Sequence, residues 1–514
     1  MKKFCRQLTP PIRKIFLNIL KTFSWPEQWK IEYGTPIPKV QNPKDEDDIR
    51  IISLTSFCSK VMEQFVIDWL LFYIGDKIDW GQYGGLKGTS ISHYLIELIN
   101  FVLFNRDLKN PQAVLTIMAD FQKAFNRQDH CDLISTLSSM QVPGWLLKLL
   151  IAFLSNRELI VRHKKTQSKK KMLPGGSPQG TRLGMLLFLI LINLAGFSQD
   201  ELVKNVGEVI TQPFKLRKPM DKIHLKYIDD LTLGTRLDLK RTLIKDPNPT
   251  PIRPLTYHNR TGHILRQCDN VMQTELDKLV RYSEDHFMKI NYKKTKCMLF
   301  NPLKQVDLMP NLLSPCGQPI ELVEQFRLLG IEIRSDLRWN ANTDSICTKF
   351  YNRLWIIRNL KELGTNQTEI VDIYVKQVRV MAELAVPVWE PGLTMSQSNQ
   401  IERCQMVACV IILGQNYQSY RKSLNTLGLK SLKVRRSEIC RKFAKKSVNH
   451  IKFKHWFSQN TNEQHYNTRY EKPVLKPVPA RKKKYERSPL PFLTDMLNNT
   501  IKAFDETKSE FTFL

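Results

Sequence analysis

The chain has 514 residues and a formal net charge of +29, from 78 lysines and arginines against 49 acidic residues. With 42% hydrophobic and 25% charged residues it has the composition of a globular protein with a sizeable core, which excludes wholesale disorder. The cationic excess makes a polyanion the first partner to consider and a small neutral substrate the weaker expectation.

Along the chain, Ile12, Ile15, Phe16, Ile19, Leu20 and Phe23 share one helical face in a segment that runs from Ile12 to Trp29 and ends near Pro26. The prolines of GTPIPKVQNPKDEDDIRIISL forbid a helix interior, and Arg50 to Leu54 favours an extended segment. Helical spacing returns over Lys60 to Tyr73 and, after the glycine-rich GQYGGLKGTS, over Tyr94 to Phe104. Ala113 to Ala119 is a nearly unbroken apolar run, as a buried central strand requires, with Asp120 at its C-terminal end.

RHKKTQSKKKMLPGGSPQGTRLG reads as a loop with six basic residues between Arg162 and Lys171, and an apolar helix is expected from about Leu183 to Leu194. Ile223, Leu225 and Tyr227 alternate with His224 and Lys226, and the alternation resumes at Leu231 and Leu233. This is a β-hairpin whose tight turn presents Asp229 and Asp230. Four prolines between Arg236 and Arg260 mark an irregular insertion. Met272 to Phe287 is helical, Lys296 to Phe300 and Phe326 to Ile333 are short strands, and the pattern from Thr343 to about Lys446 is helical. From about residue 458 the periodicity fades and a flexible tail is expected, apart from a short helix near Leu493 to Phe504.

Ten cysteines without a CxxC pair or regular spacing read as reduced thiols of an intracellular protein, not as a disulfide framework or zinc knuckle. The longest apolar run, Met185 to Ile192, is far shorter than the roughly 20 residues that span a bilayer, so no membrane partner is expected. MKKFCRQLTPPIRK lacks the apolar core and cleavage site of a signal peptide.

Asp120, Asp229 and Asp230 would form an oxygen-ligand set for hard divalent ions if strand and hairpin share a sheet, as phosphoryl transfer with two metal ions requires. Alone, a YxDD tetrapeptide is weak, because Asp is also common in solvated turns. The order of motifs is far more specific. LTPPIRKIFLNILKTFSWPEQWKIEYGTPIPKV, IRIISLTSFCSKVMEQFV, Ala119 to Asn126 (ADFQKAFN), Ser177-Pro178-Gln179-Gly180, Tyr227-Ile228-Asp229-Asp230, Asn291 to Lys296 (NYKKTK) and Phe326 to Ile331 (FRLLGI) follow one another over about 320 residues. In content and order they resemble the reverse transcriptase domain of non-LTR retrotransposons.

That resemblance implies an α+β right-hand polymerase. Fingers and an N-terminal extension would occupy 1–110, a palm with an antiparallel sheet packed on helices 111–335, a helical thumb 336–446, and a basic, partly flexible tail 447–514, with the reverse transcriptase domain over about 20–335. It implies RNA-directed DNA polymerisation with two Mg²⁺ ions, or Mn²⁺, on an RNA template, a DNA primer and dNTPs. Asp120, Asp229 and Asp230 would hold the metals, with the Phe121 backbone carbonyl as a further ligand. Phe125 would exclude a 2′-hydroxyl, its alternative being a core aromatic. Gln179 and Gly180 would lie against the nascent base pair. Lys39 and Arg50 would neutralise the triphosphate, or else be solvated charges. Lys294 would protonate the pyrophosphate, with Lys293 and Lys296 as competitors. Ile228, where alanine is commonest in the family, would point to the packed or primer-facing side of the hairpin.

Lys164, Lys165, Lys169 and Lys170 are candidate nucleic-acid contacts. So are Arg481, Lys482, Lys483 and Lys484, which also resemble a nuclear localisation signal. Residues 433–487 hold 17 basic against 4 acidic residues with aromatics interleaved, which suits phosphate neutralisation with base stacking. Trp355, Trp389 and Met381 to Val388 are expected in the thumb core. Full elements of this kind usually carry an endonuclease before the polymerase, and about forty residues precede the end of the first block. The expectation is therefore an N-terminally truncated frame, its endonuclease supplied elsewhere or absent, working with element RNA as a nuclear or cytoplasmic ribonucleoprotein. An inactive nucleic-acid-binding relic is the alternative, and a group II intron maturase a weaker one.

Overall fold

The computed structural model describes residues 4–40, 42–45, 48–122, 125, 127–178, 180–193, 195, 221–237, 266–302, 310, 312–457 and 475–510, with the side chains of 266–270 and 500–510 left aside. Gln179, most of the proline-rich insertion and the stretch 458–474 lie outside the described residues.

Helix α1 (Cys5–Thr22) turns Phe16, Ile19 and Leu20 inward and stops where Phe23 adopts a left-handed φ of 50°. It starts well before Ile12 and contains Pro10 and Pro11, so the sequence signal placed its beginning too late. A single turn, α2 (Glu27–Lys30), leads into β1 (Ile31–Pro38), which pairs antiparallel with β2 (Ile49–Leu54). Helices α3 (Phe57–Ile74) and α4 (Ile91–Asp107) follow, then β3 (Ala113–Ala119), α5 (His130–Ser139) and α6 (Gly144–Leu154).

The basic stretch is only partly a loop. Arg162 and His163 end β4 (Arg157–His163), and β5 (Thr166–Gln167) and β6 (Lys171–Leu173) follow, because β4 extends the sheet parallel to β1 and its two short partners fold back on it, with 164–165 and 168–170 left in the turns between. The lysines are thereby displayed around strand turns. Helix α7 (Arg182–Leu191) divides its faces between two cores: Leu183, Leu186, Leu187 and Ile190 pack with α3, α5 and α6, while Phe188 and Leu191 pack under the second sheet.

That second sheet is built from β7 (Lys222–Tyr227), β8 (Asp230–Leu237), β9 (Lys296–Phe300) and β10 (Glu321–Leu322) around β3, in the order β10-β9-β3-β8-β7. β3 runs antiparallel to β8 and β9. Every residue of β3 is buried, since Ala113, Leu115, Ile117 and Ala119 face α7 and α8 (Arg266–Asp285) while Val114 and Met118 face α4. Coverage of both faces is what an unbroken apolar strand demands.

The hairpin β11 (Gln325–Leu328) and β12 (Ile331–Arg334) leads to helices α9 (Asn340–Glu362), α10 (Gln367–Ile373), α11 (Val386–Trp389), α12 (Met395–Leu413), α13 (Tyr420–Thr426) and α14 (Leu432–Val448). Trp389 is buried among them, but Trp355 is 58% exposed. Helix α9 packs through Ile346, Phe350, Leu354 and Ile357, and Trp355 falls off that stripe, correcting its core assignment.

The expected loose tail is also corrected for 475–510. α15 (Lys483–Glu486) and α16 (Pro489–Glu510) insert Tyr485, Leu490, Leu493 and Leu497 into the core shared with α4. α4 is buried almost all round, and its polar residues Glu97 and Asn100 bond to Trp456 and Tyr485. No described helix is long and apolar enough to cross a membrane, and none of the nine described cysteines forms a disulfide.

Candidate active site

Three carboxylates meet at the ends of the central strands. Asp120 follows β3 directly, and Ala119 lies opposite Leu231 of β8, so Asp120 stands beside Asp230. The β7–β8 turn is Ile228-Asp229, closed by the Tyr227–Asp230 pair. Ile228 takes φ of 60°, a left-handed conformation costly for a β-branched side chain. Its side chain goes to the packed side, under the sheet.

The two sides of this site come from distant sequence. Asp120 is gripped by the Asn291–Lys296 block: its carbonyl accepts from the Asn291 amide at 2.7 Å and its amide donates to Thr295 Oγ1 at 3.4 Å. The Gln122 amide donates to the Lys289 carbonyl, so the bridge between Phe121 and Ile290 is one whose own N–H and C=O groups point away from the partner strand. The Phe121 carbonyl is therefore available on the opposite side, while its ring is buried.

A cleft of about 360 Å³ is lined by Met118, Asp120, Asp230, Lys293, Lys294, Lys296 and the β11 residues Phe326 and Leu328, among others. Within it the three lysines separate. Lys294 Nζ stands 3.8 Å from Asp120 Oδ2 and is largely exposed, whereas Lys296 Nζ is committed to Glu321 (2.5 Å) and the Lys293 carbonyl (2.8 Å). Of the competing lysines, Lys294 is the one beside a candidate metal ligand.

The electrostatics reflect crowded negative charge. Burial raises the Asp120 carboxyl, against the pull of Lys294, Asn291 and Lys39. Burial and the Asp120 charge raise Asp229, against Arg50. Burial, then Asp229 and Asp120, push Asp230 up to about 7. Lys39 and Arg50, from the β1–β2 hairpin, thus lie close enough to act on the carboxylates. Among the described residues no three His, Cys, Asp or Glu side chains form a preassembled metal cage. Oxygen donors raised by burial and, at Asp229 and Asp230, further by neighbouring carboxylates nonetheless suit a hard divalent ion, which would relieve that repulsion.

A test of that crowding is available without any activity assay. A carboxyl raised in the fold favours folding while protonated and loses that contribution as pH rises through about 7. Metal-free Asp230→Asn is expected to melt above the parent at pH 8, by about 1–2 kcal/mol of added stability, with the difference gone near pH 4. Scanning calorimetry at the two pH values reads it.

Phe125 is half-buried and stacks on Phe188 of α7, with centroids 4.5 Å apart, so it is both a packed aromatic and a neighbour of the Ser177 turn, whose amide donates to its carbonyl at 2.8 Å. Gly180 has φ of 122°, and a Cβ there would lie 2.5 Å from the Ser53 carbonyl. The close approach that needs glycine is thus to β2. Lys164 and Lys165 occupy the β4–β5 turn and Lys170 pairs with Glu158 at 2.9 Å. The Arg481 and Lys482 amides donate to Asp107 at 2.8 and 2.7 Å, Lys482 Nζ donates to the Arg106 carbonyl, and Lys484 Nζ to the Asp336 carbonyl. This places the basic run against the end of α4 and the turn between β12 and α9. Lys483 lies among exposed residues at the start of α15.

Sequence reasoning missed Asn291 and Thr295, which orient Asp120, and Gln82, whose buried Oε1 accepts from the Ile228 amide at 3.3 Å. The signal for the first two was their place in the NYKKTK block. Gln82 sits in GQYGGLKGTS, where the glycines alone drew notice.

The description "Reverse transcriptase (RNA-dependent DNA polymerase)" matches residues 37–333. The chain is 23% identical over 389 residues to the probable RNA-directed DNA polymerase from transposon BS of Drosophila melanogaster, covering 74% of this chain and 37% of that protein. It is 27% identical over 359 residues to the RNA-directed DNA polymerase from mobile element jockey of Drosophila melanogaster, covering 68% and 34%. The chain thus spans about a third of the length of these relatives. A telomerase from Candida tropicalis in complex with a fragment of telomeric RNA superposes over 86% of this chain and 66% of that one at 10% identity and a TM-score of 0.39, too loosely to argue from. With more than half of its residues matched and the matched carboxylates on adjoining strand ends, the chain belongs to the reverse transcriptase (RNA-dependent DNA polymerase) family.

Proposed function

We propose that the chain is the RNA-directed DNA polymerase of a non-LTR retrotransposon, joining dNTPs to a primer 3′-hydroxyl on an RNA template. The observation that carries this reading is the single cleft in which Asp120 and Asp230 face Lys293 and Lys294 beneath the β11–β12 hairpin. Reverse transcriptases generally use divalent metal ions. Here Asp120, Asp229 and Asp230, with the Phe121 carbonyl, would hold Mg²⁺ or Mn²⁺. Bound there, such ions would supply the charge that activates the hydroxyl and steadies the leaving pyrophosphate.

The remaining roles belong to the protein's own groups. Lys39 and Arg50 neutralise the triphosphate from the β1–β2 hairpin, as point charge and as bidentate fork. Phe125, held by Phe188, closes the space under the sugar against a 2′-hydroxyl. Gly180 keeps the end of the loop before α7 close to β2, and Lys294 delivers a proton to the pyrophosphate. Lys164, Lys165, Lys169 and the basic run Arg481–Lys484 are phosphate contacts outside the cleft. In this reading fingers span 1–110 with the β4–β6 ribbon, palm 111–335 and thumb 336–446, while 475–499 is a packed brace.

Primer extension tests the proposal. Purified chain with a DNA primer annealed to RNA, dNTPs and Mg²⁺ is expected to lengthen the primer. Salt-sensitive duplex binding with no extension in Mg²⁺ or Mn²⁺ would establish the inactive relic instead.

A further inference from the structure

Residues 81–84 reach the catalytic turn from behind, and residues beyond the family match support them in turn. Gln82 is completely buried, and its Oε1 accepts from the Gly84 amide at 2.8 Å as well as from Ile228 at 3.3 Å. Its Nε2 has no partner among the described residues, so the oxygen is what the position uses. The main chain of 81–83 covers the free edge of β7: the Lys226 amide donates to the Gly81 carbonyl and the Tyr83 amide to the Lys226 carbonyl, each at 2.8 Å. Gly84 abuts the turn so closely that a Cβ would lie 2.5 Å from the Ile228 nitrogen. A β-branched residue in a left-handed conformation persists only where its surroundings over-determine it, and these contacts supply that constraint.

The constraint is itself backed by the segment after α14. Lys452, 8% exposed, donates from Nζ to the Gln82 carbonyl at 2.5 Å and lies 3.9 Å over the Tyr83 ring. Phe453 stacks on His93 of α4 at 3.8 Å and 12°, and Trp456 Nε1 donates to Glu97 of the same helix at 2.8 Å. Lys452 is thus fixed to α4 through the residues that follow it, and its ammonium holds the residue that holds the turn.

We infer that Gln82 and Lys452 are positioning residues for the Ile228-Asp229 turn, so that residues 452–456, outside the matched 37–333, complete the support of the catalytic centre. A turn held only by its own two-residue loop would let Asp229 and Asp230 drift relative to Asp120, and small misplacements of reacting groups are expensive in rate. The inference rests on the polymerase reading for its kinetic consequence, but not for its structural one.

The test compares full-length Gln82→Met and Lys452→Met with Lys452→Arg, and with Asp229→Asn as the inactive reference. In both Met variants the rate at saturating dNTP is expected to fall about tenfold, with the half-saturating Mg²⁺ concentration raised severalfold and primer–template affinity unchanged. Lys452→Arg, which keeps a cationic donor, retains most of the rate. Amide exchange in peptides covering 225–231 accelerates in the Met variants. A general loss of stability would not raise the Mg²⁺ requirement, so that shift separates positioning from folding. Wild-type rate, Mg²⁺ dependence and exchange in folded Gln82→Met and Lys452→Met overturn the inference. If either fails to fold, Gln82→Asn withdraws the acceptor by one methylene, and wild-type values there overturn it equally. If the unsubstituted chain extends no primer, the polymerase reading fails, while exchange at 225–231 still decides the positioning.

Discussion

Asp229→Asn is expected to slow single-turnover nucleotide incorporation at least ~10³-fold, since metal stabilisation of the transition state is worth several kcal/mol and each ~1.4 kcal/mol is tenfold. Primer–template affinity should stay within a few-fold, because in the proposed reading the duplex is gripped by phosphate contacts outside the cleft. The substitution is nearly isosteric and removes a charge that helps raise the neighbouring carboxyl, so the fold is not the casualty. Rapid-quench kinetics beside a filter-binding titration separate the two quantities. Incorporation within tenfold of the parent would remove Asp229 from the metal set.

Lys294→Met should cost about 10²-fold in the same measurement if its ammonium is the proton donor, the lower end of what general acids contribute. The position offers a second role. With Nζ 3.8 Å from Asp120, Lys294 also offsets part of the crowded negative charge. Arginine distinguishes the two, since a guanidinium keeps the charge but does not release its proton. Lys294→Arg as slow as Lys294→Met supports proton donation. Near-parental Lys294→Arg assigns the residue to charge balance. The cleft separates Lys294 from Lys296 on physical grounds, because Lys296 is already paired with Glu321.

Several parts of this molecule were legible from local pattern. β3 was visible because a strand covered on both faces must be apolar throughout, and the β7–β8 hairpin because its alternation is interrupted only at the turn. The order of motifs placed Asp120, Asp229 and Asp230 together before any coordinate did. Pattern also misled where exposure is decided by neighbours far away. The basic stretch at the end of β4 has loop composition but pairs partly as strands, and Trp355 has the size of a core residue yet falls on the open side of α9.

Polar residues show the limit most clearly. Lys226 sits in a polar slot of the alternation but is wholly buried, its Nζ bonded to Asp79 at 2.8 Å and to the Asn193 carbonyl at 2.5 Å. Gln82, Lys452 and Glu97 likewise look like surface residues in their own segments. Hydrogen bonding between segments hundreds of residues apart leaves no periodic trace, whereas apolar burial does.

The sequence by itself determined the family, the carboxylates and the cationic character, because motif chemistry and composition are local properties of the chain. Only the tertiary structure decided which lysine faces Asp120, why Gly180 must be glycine, and that a segment near the C-terminus braces the catalytic turn. Each of these depends on which distant surfaces the packing of α4 and the central sheet brings into contact.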